Sequence, residues 1–277
     1  MGFLDRGLEI KTPQQVDAMR RAGLVVGRTL EVLRAAVRPG ISTAELDAIA
    51  EDSIRSSGAT PSFLGYQGFP ASICASVNDE VVHGIPGPRV LVDGDVVSID
   101  CGAIVADESG QGWHGDAAIT VAVGDVPTEV QELMRVTEEA LWLGIAAARR
   151  GGRVGDISHA VESHVRSQGP YGILEDYVGH GIGTQMHLPP NVPNVGRAGR
   201  GPRLVEGLAL AVEPMITLGG KQTDLLDDDW TVVTTDGSPA AHYEHTFVLT
   251  DSGTWVLTAL DGGEARLTAL GVPFGGR

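Results

Sequence analysis

A 21-residue segment of the chain recurs 111 residues later, and this repeat limits the possible folds more than any other feature of the sequence. Shifting residues 38–58 onto residues 149–169 aligns six identical residues. Both copies carry apolar side chains at helical spacing, with Leu46 matched by Ile157. A duplicated αβ half predicts a ligand site between the two halves, because ligand sites favour such interfaces. The alternative is two unrelated amphipathic helices of similar sequence.

Capping residues and apolar runs predict the secondary structure. Thr12 and Ser42 are each followed by Gln or Glu at the third helical position, which is typical of a capping box. Thr128 and Asp156 are expected to open two more helices. The four predicted helices cover residues 12–37, 42–58, 128–150 and 156–169. Short apolar runs predict strands over residues 73–77, 96–99, 118–123, 208–212, 231–234, 246–250 and 254–258.

The charge balance excludes several classes of function. With 36 acidic against 20 basic side chains the net charge is −16, so the chain lacks the basic surface that DNA binding needs. Two cysteines, Cys74 and Cys101, are too few for a disulfide framework and fit a reducing compartment. The start of the chain has no apolar run typical of a signal peptide, and no apolar stretch reaches the length of a membrane span. We therefore expect a cytoplasmic protein without membrane contact.

Four carboxylates and one histidine lie beside predicted strands. Asp100 and Glu213 each end an apolar run, Asp116 and Glu244 each precede one, and His180 lies between two glycines. A carboxylate at the end of a buried strand costs free energy unless it is paired or bound to a metal. Taken singly, each of these acids is more often a surface residue or a cap. Five such residues together favour one common site.

This donor set is suited to divalent cations. Carboxylate oxygens with a single imidazole bind hard or borderline ions. Around one cation four acids would repel one another, whereas two ions bridged by carboxylates balance the charge better. Two ions activate water and stabilise a tetrahedral intermediate, which favours hydrolysis of an amide or a phosphoester. Manganese, iron, cobalt and zinc all tolerate these ligands, so the sequence does not choose among them.

Seven motifs, in order over roughly residues 10–260, resemble those of the type I methionine aminopeptidases. The resemblance implies the pita-bread fold, an α+β architecture with two pseudo-symmetric halves and curved antiparallel sheets around a dinuclear metal site. It implies one catalytic domain over residues 1–277, with halves at about 12–123 and 124–260. The motifs are Val82-His-Gly-Ile-Pro86, Ser98-Ile-Asp-Cys-Gly102, His114-Gly-Asp116, Gly179-His-Gly-Ile-Gly183, Met186-His187, Val212-Glu-Pro-Met215 and Tyr243-Glu-His-Thr246.

The resemblance also implies a role for each ligand. Asp100 would chelate one ion, while His180 and Glu213 would bind the other. Asp116 and Glu244 would bridge the two. Glu213 resembles the proton shuttle of the family, which activates the attacking water and passes its proton onward.

The remaining roles concern the substrate. By the same resemblance, His187 would donate a hydrogen bond to the scissile carbonyl as it becomes an oxyanion, and His83 would contact the scissile nitrogen. A methionine side chain packs well on aromatic and sulfur surfaces. Without the resemblance, ordinary core packing would explain the pocket residues as well. The residues that match the methionine pocket of the family are Tyr66, Phe69, Cys74, Met186 and Trp230.

The implied function is removal of the initiator methionine from nascent proteins with a small second residue. A proline-directed peptidase of the same fold and a binding module without catalysis are the two rival hypotheses. The 33 residues from His180 to Glu213 leave no room for the helical insertion of type II enzymes, which indicates the short bacterial form. The sequence does not define the range of second residues accepted.

The expected partners are nascent polypeptide N-termini. We expect a monomer, although nothing in the sequence fixes the oligomeric state. A transient ribosome contact would need a local basic patch, for which Arg197, Arg200 and Arg203 are candidates, against the alternative of a solvated loop.

The sequence departs from the family pattern in two places, and three further histidines have a candidate role beside the ligands. The connection over residues 106–113 is longer than usual. The resemblance therefore does not define the shape of this loop or its effect on access to the pocket. Met186 stands where an aromatic residue is common. For His114, His242 and His245 a structural role is the favoured interpretation. In the alternative, His114 orients Asp116 and the other two contact the ligands.

Overall fold

The computed structural model describes residues 7–277. Residues 1–6, which belong to the segment where we expect no signal peptide, lie outside the described residues. None of the helices in the described part is long and apolar enough to cross a membrane.

Four of the five helices found in residues 7–277 lie where capping residues predict them. At the first, the Thr12 hydroxyl accepts a hydrogen bond from the Gln15 backbone N–H, and Gln15 Oε1 accepts one from the Thr12 N–H. This reciprocal pair satisfies two backbone donors that a helix start leaves without partners. The helices are α1 (Pro13–Ala36), α2 (Thr43–Ser56), α3 (Thr128–Ala147), α4 (Val154–Gln168) and α5 (Glu264–Ala269).

The predicted start of α4 is wrong by two residues. Asp156 is the third residue of the helix rather than its cap, and its carboxylate accepts a hydrogen bond from the Arg153 N–H at 2.8 Å. The negative charge of an acid at the third position is also stabilised by the positive N-terminal end of the helix dipole. Short α5 was not predicted, because six residues carry too little periodicity to be read from sequence.

All seven predicted strands are present, and eight short ones are added to them in the described part of the chain. The added strands have two to five residues each, too few for a period-2 pattern to stand out. The strands are β1 (Thr60–Pro61), β2 (Ile73–Val77), β3 (Glu80–Val82), β4 (Val96–Ala106), β5 (Gly112–Ala122), β6 (Gly172–Ile173), β7 (Gly179–Gly181), β8 (Leu188–Val192), β9 (Ala209–Val212), β10 (Met215–Thr217), β11 (Thr223–Leu225), β12 (Val232–Thr234), β13 (Ala240–His242), β14 (Glu244–Leu249) and β15 (Thr254–Val256).

One nine-stranded antiparallel sheet contains strands from both halves of the chain. Its order is β1-β4-β5-β14-β9-β7-β8, with β2 also paired to β4 and β15 to β14. The first half supplies β1, β2, β4 and β5, and the second half supplies the rest. The two halves therefore meet where β5 pairs with β14.

Each half of the sheet is covered by its own helix pair. Helix α1 packs on β4 and β5, and α2 packs on α1, β1 and β2, around one buried apolar cluster. Helices α3 and α4 pack around a second cluster with β9 and β14. The repeated segments form equivalent elements, the loop before α2 and α4 and those helices themselves. Even a surface pair recurs, since Arg55 contacts Glu51 at 2.7 Å and Arg166 contacts Glu162 at 2.8 Å.

Side-chain hydroxyls fasten the seam between the halves. The backbone ladder between β5 and β14 comprises two residue pairs, Glu244 with Ala118 and His245 with Ala117. Beyond them, Thr246 Oγ1 donates to the Asp116 carbonyl at 2.8 Å and accepts from the Asp116 N–H at 3.2 Å. Thr246 is fully buried, so these bonds satisfy backbone groups that water cannot reach.

We expect Thr246→Val to lower the free energy of unfolding by about 1–3 kcal/mol, because the isosteric change leaves both Asp116 backbone groups buried without partners. Urea denaturation measures the change, and Thr268→Val, an exposed position on α5, is the matched control. Equal stability of the two variants would contradict the role of Thr246 in the seam.

Candidate metal centre

Three of the five predicted ligands lie on one face at the seam of the sheet. Ala118 on β5 is flanked by Asp100 of β4 on one side and by Glu244 of β14 on the other. Asp116 lies two residues from Ala118 on β5, opposite Gly102. Because side chains alternate along a strand, Asp116 projects to the same face as Ala118. The small alanine thus leaves a space that three carboxylates surround.

The other two predicted ligands come from the neighbouring strands of the second half. His180 is the central residue of β7, and Glu213 directly follows β9. His180 Nε2 lies 3.5 Å from Glu213 Oε1 and 3.9 Å from Asp116 Oδ2. Ligand atoms of Asp116, His180 and Glu244 all lie within 4.8 Å of one another. The structure therefore brings all five residues together.

Burial perturbs every carboxylate in this cluster. It raises the pKa of Asp100 to about 7, against the opposing effect of a hydrogen bond with Asp116. It raises the pKa of Asp116, Glu213 and Glu244 as well, and the negative charges of their neighbours add to the effect. The structure thus concentrates like charges where water cannot screen them.

Several donor atoms of the cluster have no protein partner. Within residues 7–277, Asp100 Oδ1, Asp116 Oδ1 and Glu244 Oε1 are buried and make no hydrogen bond. Burial also lowers the pKa of His180 to about 3, so its imidazole is neutral at pH 7 and free to donate a lone pair. Orphaned oxygens beside a neutral nitrogen fit divalent cations of hard or borderline character.

Both additional histidines predicted for the site face it. His83 follows β3 in a left-handed conformation with φ of 61°, which is unusual for a residue with a side chain and marks a position held by its surroundings. His187 Nδ1 hydrogen-bonds the Tyr66 hydroxyl at 2.8 Å, and its ring lies 4.4 Å from that of His180. Burial lowers the pKa of His83 to about 4 and also lowers that of His187.

An aromatic cavity of about 220 Å³ borders the cluster. Tyr66, Phe69, Cys74 and Trp230 line it, as the resemblance implies. Met186 does not line it. The Met186 side chain is buried in the apolar cluster that also contains Phe69 and Cys74, and it lies against Gly102. Two further lining residues, Phe63 and Gln67, were missed, although both belong to the same short stretch as Tyr66.

A second cavity, of about 460 Å³, borders the cluster from another side. Its outer wall includes Asp176, Tyr177 and Asn191. The two cavities share five lining residues, which therefore separate the aromatic space from the larger one. The shared residues are His83, Asp100, His180, His187 and Glu213.

Comparison with known proteins decides the family. The model of metallopeptidase family M24 matches residues 17–251. Methionine aminopeptidase 1 of Mycobacterium tuberculosis is 54% identical over 250 residues, covering 88% of this chain and 92% of that protein. The methionine aminopeptidase of Clostridium acetobutylicum is 51% identical, covering 90% and 98%. The crystal structure of methionine aminopeptidase from Thermotoga maritima has a TM-score of 0.87 at 40% identity, covering 91% of this chain and 99% of the other.

The chain belongs to metallopeptidase family M24, among the methionine aminopeptidases. The predicted pita-bread fold and the predicted class of enzyme, a metal-dependent exopeptidase, are confirmed. The predicted short bacterial form is confirmed as well, because the bacterial relatives match over nearly their whole length.

Two of the histidines with a candidate role beside the ligands, His114 and His245, make their hydrogen bonds to other residues in this M24 enzyme. His245 points to the opposite face of β14, where Nδ1 bonds Thr258 Oγ1 at 2.8 Å and the ring packs on Trp142. His114 Nδ1 bonds Ser62 Oγ at 3.2 Å rather than Asp116. His242, by contrast, reaches Glu213, with Nε2 3.8 Å from Oε2.

The two glycines beside His180 allow neighbouring backbone segments to pack closely. A glycine can let the backbone come close to a bound ligand, and Gly179 and Gly181 flank His180. A Cβ on Gly179 would instead lie 2.4 Å from the Ala211 carbonyl, and one on Gly181 would lie 2.3 Å from the Pro189 carbonyl. The glycines therefore allow β7 to lie close to the adjacent backbone, which fixes His180.

The longer connection between β4 and β5 stays clear of both cavities. Its Asp107 carboxylate accepts hydrogen bonds from Ser109, the Gln111 N–H and Trp113 Nε1, which holds the pKa of Asp107 at about 2. The turn faces the start of α1, and neither cavity is lined by residues 107–111. The turn therefore supplies no residue to the wall of either cavity.

The segment before α1 holds the turn that carries His187. The Glu9 carboxylate accepts hydrogen bonds from the Thr184 N–H at 3.1 Å and from the Thr184 hydroxyl. Lys11 lies beside it, with its side chain almost fully buried and Nζ 3.2 Å from Glu9 Oε1. Gly183 leaves room for both, since a Cβ there would lie 1.9 Å from Glu9 Oε1. The position of His187 therefore depends on residues far from it in sequence.

We expect Glu9→Ala to lower kcat about 10-fold with little change in KM, because a displaced His187 no longer meets the reacting group. Kinetics on a methionyl tripeptide measure both constants, and Glu31→Ala, an exposed acid on α1, is the control. In a His187→Ala background the effect of Glu9→Ala should disappear. The same 10-fold loss in both backgrounds would contradict a positioning role.

We expect divalent metal to raise the melting temperature of chelator-treated protein by about 5–10 °C at a metal concentration near 100 times Kd. Asp116→Asn should lose most of this shift. In chelator it should melt no lower than the parent protein, because one buried like charge is removed. Calorimetry with Asp125→Asn, an exposed acid, as the control measures both effects. A full metal-induced shift in Asp116→Asn would contradict the assignment.

Proposed function

We propose that the protein removes the N-terminal methionine from new polypeptides whose second residue is small. The observation that carries this proposal is the ligand cluster lying between the aromatic cavity and the larger cavity. A methionine side chain in the aromatic cavity leaves the rest of the polypeptide in the larger one. The scissile bond then lies beside the residues that both cavities share.

We propose that five residues hold two divalent ions, as the donor set and its orphaned oxygens support. Asp100 would hold one ion, His180 and Glu213 would hold the other, and Asp116 and Glu244 would serve both. Bound ions supply a Lewis acid that lowers the pKa of the attacking water and polarises the scissile carbonyl. Manganese, iron, cobalt and zinc all suit this set of oxygen and nitrogen donors.

Glu213 moves the proton in the proposed mechanism. Burial raises the pKa of its carboxyl, and the negative charge of Asp100 raises it further. Bound divalent ions would oppose both effects and keep the carboxylate ionised, so that it can accept a proton. Its position on the wall of both cavities supports contact with the attacking water. The carboxylate takes a proton from that water and passes it to the leaving nitrogen.

His187 stabilises the developing oxyanion, and the tautomer supports this role. When the Tyr66 hydroxyl donates to Nδ1, the ring proton must lie on Nε2. That N–H is then available to donate to the scissile carbonyl oxygen. His83, neutral because burial lowers its pKa to about 4, accepts or donates at the scissile nitrogen without adding a charge.

Selection of methionine rests on the chemistry of the aromatic cavity. Three aromatic rings, those of Tyr66, Phe69 and Trp230, face the cavity together with the Cys74 thiol. A thioether gains from contact with aromatic edges and sulfur, and its flexible chain fits an irregular space. Met186 supports the wall from behind by packing in the same cluster.

The protein acts on nascent N-termini, and we propose a monomer in the cytoplasm that contacts the ribosome transiently. Arg197, Arg200 and Arg203 belong to a loop whose backbone is tied to α4, since the Arg200 carbonyl accepts from the Gly155 N–H at 2.9 Å. Replacing all three with serine should abolish salt-sensitive co-sedimentation with ribosomes and leave tripeptide hydrolysis unchanged. Undiminished co-sedimentation would remove this surface from consideration.

We expect metal-loaded protein to release methionine from Met-Gly-Met and much less from Met-Leu-Met. Glu213→Gln should lower kcat at least about 100-fold, since it removes the proton acceptor. Chromatographic detection of free methionine measures both rates. Chelation should stop the reaction, and added manganese or cobalt should restore it.

The same assay separates the rival functions. A proline-directed peptidase would cleave a Xaa-Pro peptide in preference to Met-Gly-Met. A binding module without catalysis would release nothing, and its stability would be indifferent to metal and to Glu213→Ala. Either pattern would overturn the proposal.

A further inference from the structure

His242 lies where two strands leave the main sheet together. After β9 the chain passes through Glu213 into β10, and β13 passes through Tyr243 into β14. Across these paths His242 pairs with Met215, and Tyr243 N–H donates to the Pro214 carbonyl at 3.4 Å. This crossing brings His242, which is two residues from Glu244, beside Glu213 from a distant part of the sequence.

The His242 imidazole is aimed at the carboxylate cluster. Its Nε2 lies 3.8 Å from Glu213 Oε2, and ligand atoms of Glu213, His242 and Glu244 all lie within 4.8 Å of one another. This second set of three shares Glu244 with the set formed by Asp116 and His180. Separations of this size allow one ion to contact all three donors.

The Nε2 atom of His242 makes no hydrogen bond with any of the described residues. The side chain is 2% exposed, and Nε2 is buried without a hydrogen bond. A buried polar atom without a partner costs free energy, so such an atom calls for an explanation. A histidine that only filled space beside Met215 could be replaced by an apolar residue at no such cost.

The backbone holds His242 in place. The His242 N–H donates to Thr120 Oγ1 at 2.9 Å, and Thr120 Oγ1 donates to the His242 carbonyl at 2.8 Å. The Tyr243 hydroxyl donates to the Thr120 carbonyl at 3.0 Å. All these atoms are buried, so the imidazole is presented from a fixed position, as a metal ligand must be.

We propose that His242 is a sixth protein ligand of the dinuclear centre, binding through Nε2 the ion that Glu213 and Glu244 share. The inference rests on the proposed metal centre. Four carboxylates already balance the charge of two divalent ions, and a neutral imidazole adds a donor without adding charge. A second nitrogen shifts the preference of the centre from magnesium or manganese toward cobalt, iron and zinc.

Cobalt binding to the full-length protein tests the proposal. Chelator-treated parent protein, His242→Gln and His242→Ala are titrated with Co²⁺ by calorimetry and by visible absorption. We expect two equivalents in the parent protein and a loss of at least about 10-fold in affinity for one equivalent in both variants, with an altered spectrum. His245→Gln, on the opposite face three residues away, is the matched control and should bind like the parent.

A cysteine variant keeps the test decisive if removal of the imidazole impairs folding. In His242→Cys a thiolate replaces the imidazole on the same residue, and ligation of Co²⁺ by sulfur adds a charge-transfer band in the near ultraviolet. The parent protein, with its two native cysteines, sets the baseline for that band.

The outcomes separate this proposal from the metal centre itself. Parent-like affinities and spectra in His242→Gln, with no new band in His242→Cys, would overturn the role of His242 and leave the centre intact. Failure of the parent protein to bind cobalt would overturn the centre and the sixth ligand together.

Discussion

Burial of four like charges around one space is the constraint on which the rest of the structure depends. Asp116 and Glu244 are almost fully buried, and the ion-pair contacts seen for Asp116 and Glu213 come from histidines. Without countercharge such a cluster opposes folding. Burial raises the pKa of all four acids, and repulsion by neighbouring carboxylates raises those of Asp116, Glu213 and Glu244 further. Divalent ions remove this cost, so the same interaction that stabilises the fold equips the site for hydrolysis.

The seam between the two halves explains how a single chain assembles this cluster. Each half alone supplies only part of the donor set, Asp100 and Asp116 from the first and the others from the second. Pairing of β5 with β14 brings Glu244 next to Ala118, and Thr246 of β14 hydrogen-bonds the backbone of Asp116 on β5. The geometry of the proposed metal site therefore depends on the docking of the two halves, and errors in that docking would displace its residues.

Much of this arrangement could be predicted from the sequence because its signals are local. Capping boxes fix the starts of α1 and α2, and acids at the ends of apolar runs indicate the metal ligands. Signals that depend on tertiary packing could not be read. The buried Met186, the contact of Glu9 with Thr184 and the approach of His242 to Glu213 all join segments far apart in the chain. Their partners become evident only when the strands are in register.

Anomalous diffraction from crystals grown with manganese tests the central claim most directly. The account predicts two manganese peaks within the space bounded by Asp100, Asp116, His180, Glu213 and Glu244, each within bonding distance of carboxylate oxygens. Peaks at other positions, or a fully ordered cluster of carboxylates without manganese, would contradict it.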